Sequence, residues 1–261
     1  MTKTTNKRRI TAIAIVLTLI LSMFAMMPTA SAVTNEVSLI YAEALHRNAG
    51  GGYYLRGYVE VENLALNKTV TIHYSNDDIT WYEVDATYTA PTYGNKEAWY
   101  FETAPYDPGY RGTGNYYFAI EYVVNGVTYW DNNGGNDYYA NSGGYGSQGT
   151  PVVFGTGKVF VRDAYFAARE NDDNRLVAQI YVKNIAYNKV VNVRYSTDDW
   201  ATYTDVPAAY NLSNYASDAE LWIADVDIPS YLDEISFAVS YTVNGETYWD
   251  NNFGQNYNFV I

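Results

Sequence analysis

The chain has no cysteine, two histidines, four methionines and seven prolines in 261 residues. Without cysteine no disulfide can staple it and no lipid can be attached at a lipoprotein cysteine, so its stability rests on burial. Cations are also scarce: 16 Lys and Arg face 29 Asp and Glu, a formal charge of −13. That field repels nucleic acid and anionic lipid surfaces but leaves a neutral ligand unaffected. Catalytic sets are missing too. His46 and His73 both lie in the first half and accompany no nucleophilic serine and aspartate. The acids are scattered, and a pair such as Glu121 and Asp131 lacks the enclosing cleft that glycoside hydrolysis requires. Glu170-Asn-Asp-Asp-Asn-Arg175 offers oxygen ligands but neither the glycine turn nor the distal Glu of a calcium loop, and reads as a solvated turn. No enzyme, cofactor or metal is expected.

The first 32 residues form a leader. Lys3, Lys7, Arg8 and Arg9 precede an apolar run from Ile10 to Met27, and Ala30-Ser-Ala32 supplies a small-residue cleavage pattern. This predicts a secretory signal peptide over 1–32, cut before Val33, and an extracellular protein with no membrane attachment after cleavage. Its removal takes four cations and no anions.

Aromatics are abundant, with 29 tyrosines and six tryptophans. Such rings combine an apolar face with a polar edge and tolerate a half-wet surface. On an acidic exported chain they suit a ligand with apolar C–H faces and many hydroxyls, such as polysaccharide.

The chain also repeats itself. Asn63-Leu-Ala-Leu-Asn-Lys68 returns as Asn184-Ile-Ala-Tyr-Asn-Lys189, and Tyr74-Ser-Asn-Asp-Asp78 as Tyr195-Ser-Thr-Asp-Asp199. Asn125-Gly-Val-Thr-Tyr-Trp-Asp-Asn-Asn133 returns as Asn244-Gly-Glu-Thr-Tyr-Trp-Asp-Asn-Asn252. These matches predict a module over 33–140, a flexible Gly/Ser-rich linker over 141–155 and a second module over 156–261. Val70, Ile72 and Tyr74 share one face of an extended segment, as do Phe237, Val239, Tyr241 and Val243. Each copy therefore reads as an all-β domain of seven or eight short strands, the size of one sandwich.

Two hairpins place the key rings. Asn125-Gly126 and Asn244-Gly245 are signals for two-residue turns. If Asn244-Gly245 is the turn, Tyr241 faces Tyr248 and Ser240 faces Trp249. Alternation then puts Trp249 on the outer, polar face and Tyr248 in the core. Trp130 falls opposite Glu121 by the same reasoning. The asparagines after each tryptophan, including Asn132 and Asn251, can bond hydroxyls beside a stacked ring.

Gln179-Ile-Tyr-Val-Lys-Asn-Ile-Ala-Tyr-Asn-Lys189, Val-Arg-Tyr195, Asp-Asp-Trp200, Tyr-Trp-Asp-Asn-Asn252 and Gln-Asn-Tyr257 resemble carbohydrate-binding module family 21. That family holds the starch-binding domains of fungal glucoamylases and glycogen-targeting subunits of protein phosphatase. The resemblance covers both copies. It implies two immunoglobulin-like antiparallel β-sandwich domains in tandem, binding α-1,4-glucan (starch, glycogen or maltooligosaccharide) without cofactors, alongside a separate amylase or cell-surface component.

It further implies two surfaces per module. The first uses Trp200, Trp249, Asn251 and Asn256 in the second copy, and Trp130 and Asn132 in the first. There Ile79 replaces the first ring, Trp81 stands in for it, and Asp137 occupies the place of Asn256. The second surface uses Asn184, Tyr187 and Lys189 with Tyr210 and Tyr215, and in the first copy Asn63 and Lys68. Leu66 sits where that copy's ring is expected, so its second surface should be weak or absent. Lys158-Val-Phe-Val161 resembles the start of a phosphatase-docking motif with the wrong spacing. The competing expectation is an adhesin-like or structural tandem binding a protein partner.

Overall fold

The computed structural model describes residues 36–47, 51–109, 112–143, 149, 151–168, 174–214, 218–229, 232 and 234–260. The expected leader 1–32, Tyr215 and most of the Glu170–Arg175 turn lie outside them.

Among the described residues the alternating segments form nineteen strands. The first module holds β1 (Val37–His46), β2 (Tyr53–Glu62), β3 (Lys68–Ser75), β4 (Trp81–Asp85), β5 (Thr87–Thr92), β6 (Lys96–Glu102), β7 (Asn115–Val124), β8 (Val127–Asp131) and β9 (Tyr138–Asn141). After β10 (Val152–Phe154), the second holds β11 (Val159–Ala168), β12 (Asn174–Lys183), β13 (Lys189–Ser196), β14 (Thr204–Pro207), β15 (Ala209–Asn214), β16 (Ala219–Ile228), β17 (Glu234–Val243), β18 (Glu246–Asp250) and β19 (Tyr257–Val260). All pairings are antiparallel, in the order β10-β1-β2-β6-β5 and β4-β3-β7-β8 for the first module and β11-β12-β16-β15 and β14-β13-β17-β18 for the second. β9 shares the β7 edge with β8, and β19 shares the β17 edge with β18. The Tyr-Trp-Asp-Asn loop splits each edge strand in two, which gives nine strands per module rather than seven or eight.

Each sandwich closes over its own apolar core. Leu39, Leu55, Ile72, Phe118 and Ile120 are fully buried in the first, Leu176, Ile180, Phe237 and Val239 in the second. The expected hairpins form. Asn125, Gly126, Asn244 and Gly245 all have positive φ, and Glu121↔Trp130, Tyr241↔Tyr248 and Ser240↔Trp249 are cross-strand pairs.

The segment expected as a flexible linker carries structure of its own. Val152, Val153 and Phe154 pair with Glu43, Ala42 and Tyr41, adding β10 to the first module's sheet. The side chains of Val152 and Phe154 pack with Phe160, Tyr181, Ala219 and Leu221 of the second module. Tyr41 stacks on Phe160, with centroids 3.7 Å apart and planes 3° apart. The strand thus belongs to one module by its backbone and to the other by its side chains. Gly155 tolerates no side chain here, because an added Cβ would lie 2.0 Å from the Leu39 carbonyl oxygen. Beside this seam, Glu43 is buried and accepts from Arg162 at 2.7 Å and Arg56 at 3.3 Å. Burial raises the Glu43 pKa, and the two arginines oppose that rise.

Candidate carbohydrate-binding surfaces

On the second module's outer face, Trp249 of β18 lies across from Ser240 and is 45% exposed. Arg194 of β13 lies beside it, its guanidinium carbon 5.0 Å from the Trp249 ring and 3.9 Å from the ring of Tyr203. Asp205 holds the guanidinium bidentately at 2.7 and 2.8 Å. That bond, more than the partial burial opposing it, lowers the Asp205 pKa. The result is a fixed cation between two exposed rings, Tyr203 being 56% exposed. Neither Arg194 nor Tyr203 was expected at this site. Trp200 is half-buried in the turn with φ +66°, its backbone N–H donating to Ser196 Oγ at 2.9 Å.

The first module builds a variant of this surface. β3 pairs His73 with Glu83 and Ser75 with Trp81, and β13 pairs Arg194 with Asp205. Trp81 therefore matches Tyr203 in register rather than Trp200, because the second copy's turn is one residue longer. His73 occupies the place of Arg194, 4.9 Å from the Trp130 ring and 3.2 Å from Glu121. Trp81 is 41% exposed and Trp130 half-buried.

The loops after the tryptophans are shaped by their first aspartate. Asp250 accepts from Val161 N–H at 2.6 Å and Tyr257 O–H at 2.8 Å, while Asp131 accepts from Leu39 N–H at 2.7 Å and Tyr138 O–H at 2.9 Å. Enclosure of its carboxylate raises the Asp250 pKa. These acids tie the loops to β1 and β11. Asn132 and Asn251 accept from Gly135 and Gly254 N–H through their side-chain oxygens, bonds that use only the carbonyl side of each amide. Asp137 and Asn256 are equivalent, with φ +54° and +58°. Burial, and then the charge of Asp78, raise the Asp137 pKa.

The second surface requires a correction. Lys68 and Lys189, expected to meet sugar hydroxyls, have side chains only 3% exposed. Lys189 Nζ donates to Asn184 Oδ1 at 2.6 Å and lies 2.8 Å from Glu220, whose carboxylate also accepts from Trp222 Nε1 at 3.0 Å. Lys68, Asn63, Glu97 and Trp99 repeat the arrangement at 2.6, 2.6 and 3.2 Å. An ammonium enclosed this way needs its anion, so each lysine positions its asparagine instead of facing solvent. Tyr187 stands 96% exposed on the loop between Asn184 and Lys189, and Tyr210 packs edge-on against Trp222 at 5.9 Å. In the first module Tyr88 packs against Trp99 the same way at 6.0 Å, and Leu66 is 94% exposed where Tyr187 would be. That module keeps every part of the surface except the outstanding ring.

Residues 33–141 and 155–260 each match the carbohydrate/starch-binding module of family 21. The chain belongs to that family. Among relatives, protein phosphatase 1 regulatory subunit 3B of Homo sapiens is 37% identical over 92 residues, covering 34% of this chain and 32% of that one. Regulatory subunit 3C of Rattus norvegicus is 37% identical over 102 residues, covering 36% and 32%. The matches thus span about a third of the relatives' length. Among solved structures, the starch-binding domain of Rhizopus oryzae glucoamylase with β-cyclodextrin and maltoheptaose is 28% identical, with a TM-score of 0.32, covering 40% of this chain and 93% of that one. The chain is a tandem of carbohydrate-binding modules.

Proposed function

We propose that this is a secreted, non-catalytic protein that holds α-1,4-glucan on exposed rings and neighbouring amides. The observation that carries the reading is the pair of exposed rings Trp249 and Tyr203 on the second module, flanking a locked Arg194 and bordered by Asn251. A glucose ring offers an apolar C–H face to stack on indole or phenol and hydroxyls at its rim for the amides. Membership of a carbohydrate/starch-binding family, matched by both modules, supports carbohydrate as the ligand class. Tyr187 and Tyr210, with Asn184 oriented by Lys189, form the second surface. Trp81 with Trp130 and Asn132 form the first module's counterpart of the Trp249 surface.

A phosphatase-docking role draws no support from Lys158–Val161. Val159 and Phe160 are buried, and Phe160 stacks on Tyr41. The leader 1–32 favours export, with an amylase or a cell-surface component as companion. Mobility in native gels containing amylopectin tests the reading, with cellulose and mixed-linkage β-glucan as controls. Retardation by amylopectin alone is expected; unaltered mobility in it refutes the proposal.

A further inference from the structure

Docking of the two modules leaves a cleft of about 860 Å³ between them. The second module contributes Trp249, Asn251 and Phe253 to its wall; the first contributes Tyr58, Tyr93 and Tyr100. Tyr58 and Tyr100 are a cross-strand pair on β2 and β6 with rings 5.3 Å apart, and Phe253 reaches across the seam to 4.9 Å from Tyr58. Tyr93 projects from the β5–β6 turn and is 97% exposed. A tyrosine so placed stabilises no core, and it lines the same cleft as the loop that follows Trp249.

Most of the charged groups that line the cleft are engaged, Asp250 by Val161 N–H and Tyr257 O–H, while Lys158 lines it as well. Arg56 and Arg162 bond Glu43, and Glu60 accepts from Lys96 at 3.1 Å and Thr92 at 2.8 Å. Beside these groups the lining is mainly ring faces, amides and hydroxyls, with the single ammonium of Lys158. Such a lining suits a neutral, hydroxyl-rich chain better than an ion or a charged peptide. The volume lies in the range of about 300–1,000 Å³ that encloses small organic ligands, so it accommodates a short oligosaccharide segment.

We propose that this inter-module cleft is a binding subsite for α-glucan, continuing the Trp249 surface onto Tyr58, Tyr93 and Tyr100 of the first module. The inference rests on the glucan reading above and deepens it. One chain occupies both modules at once, and its length decides how much of the site it fills. The first module then adds to affinity through Tyr58 and Tyr100 of its β2–β6 face, which belong to neither surface described for a single module, and through Tyr93, which the repeat aligns with Tyr215.

Calorimetric titration of the full chain with maltotriose, maltoheptaose and a longer maltodextrin tests this, for wild type, Tyr93→Ala, Tyr93→Phe and Tyr100→Ala. Tyr93→Ala is expected to lose roughly five- to tenfold in affinity for the long ligand, as for other aromatic anchors, and nothing for maltotriose. Tyr93→Phe keeps the ring and the wild-type affinity. If Tyr100→Ala binds the long maltodextrin like wild type, the cleft is overturned while the Trp249 surface stands, whatever Tyr93→Ala does. If wild type binds none of the three ligands, both readings fall.

Discussion

Replacing Lys189 by methionine keeps most of the side chain's volume and deletes its charge. In the native structure the ammonium sits 2.8 Å from Glu220 and 2.6 Å from Asn184 Oδ1, with Lys189 3% and Glu220 10% exposed in their side chains. Methionine leaves the Glu220 carboxylate enclosed, with Trp222 Nε1 donating to it among the described residues. Removing one partner of a buried pair costs about 3–5 kcal/mol, because the remaining charge stays desolvated. With a urea slope of about 1.5–2 kcal/mol/M, the second module's unfolding midpoint should fall by roughly 2 M. Adding Glu220→Gln removes the stranded charge while still accepting from Trp222, so Lys189→Met/Glu220→Gln should recover most of the loss. Urea titration followed by tryptophan emission and far-UV circular dichroism reads both. A Lys189→Met protein as stable as wild type would refute the assignment of this lysine to the fold and return it to a solvent-facing role.

Phe160→Ala removes the ring stacked on Tyr41 and should cost about 3–5 kcal/mol, as other buried Phe→Ala changes do. Small-angle scattering should show the modules separating, and an unchanged radius of gyration would contradict the docked arrangement. Leu66→Tyr restores the missing outstanding ring to the first module and should tighten amylopectin binding by about tenfold, with Tyr187→Leu weakening it comparably. Backbone bonds from Thr80 and then Ile79 lower the Asp77 carboxyl to about 2. A folded pKa below the unfolded value of 3.8 means its support for the β3–β4 turn is present above that value and lost as pH falls through about 2. An NMR titration of Asp77 with a midpoint near 4 would contradict this.

What is legible in the sequence follows from local geometry. Asn-Gly turns fix hairpin register within two residues, so the residue order alone places the outward tryptophans and inward tyrosines, and the duplicated motifs reveal two modules. The features it conceals depend on distant partners. The acids holding Lys68 and Lys189 lie about thirty residues away on β6 and β16, so nothing local distinguishes a buried lysine from a sugar-facing one. β10 spans only three residues inside a Gly/Ser-rich stretch, too short for periodicity to register, and its role depends on β1 more than a hundred residues earlier. The place of Tyr203 against Arg194 is hidden because the second copy's turn, with positive φ at Asp199 and Trp200, is one residue longer than the first copy's.

The most direct test is the intrinsic emission of the tryptophans as maltoheptaose is added. Wild type should show a saturable change, largely lost in Trp130→Ala/Trp249→Ala, while the same titration with cellohexaose leaves emission flat. Wild-type emission that ignores maltoheptaose through the millimolar range would contradict the claim that bare rings on these sandwiches take up glucan.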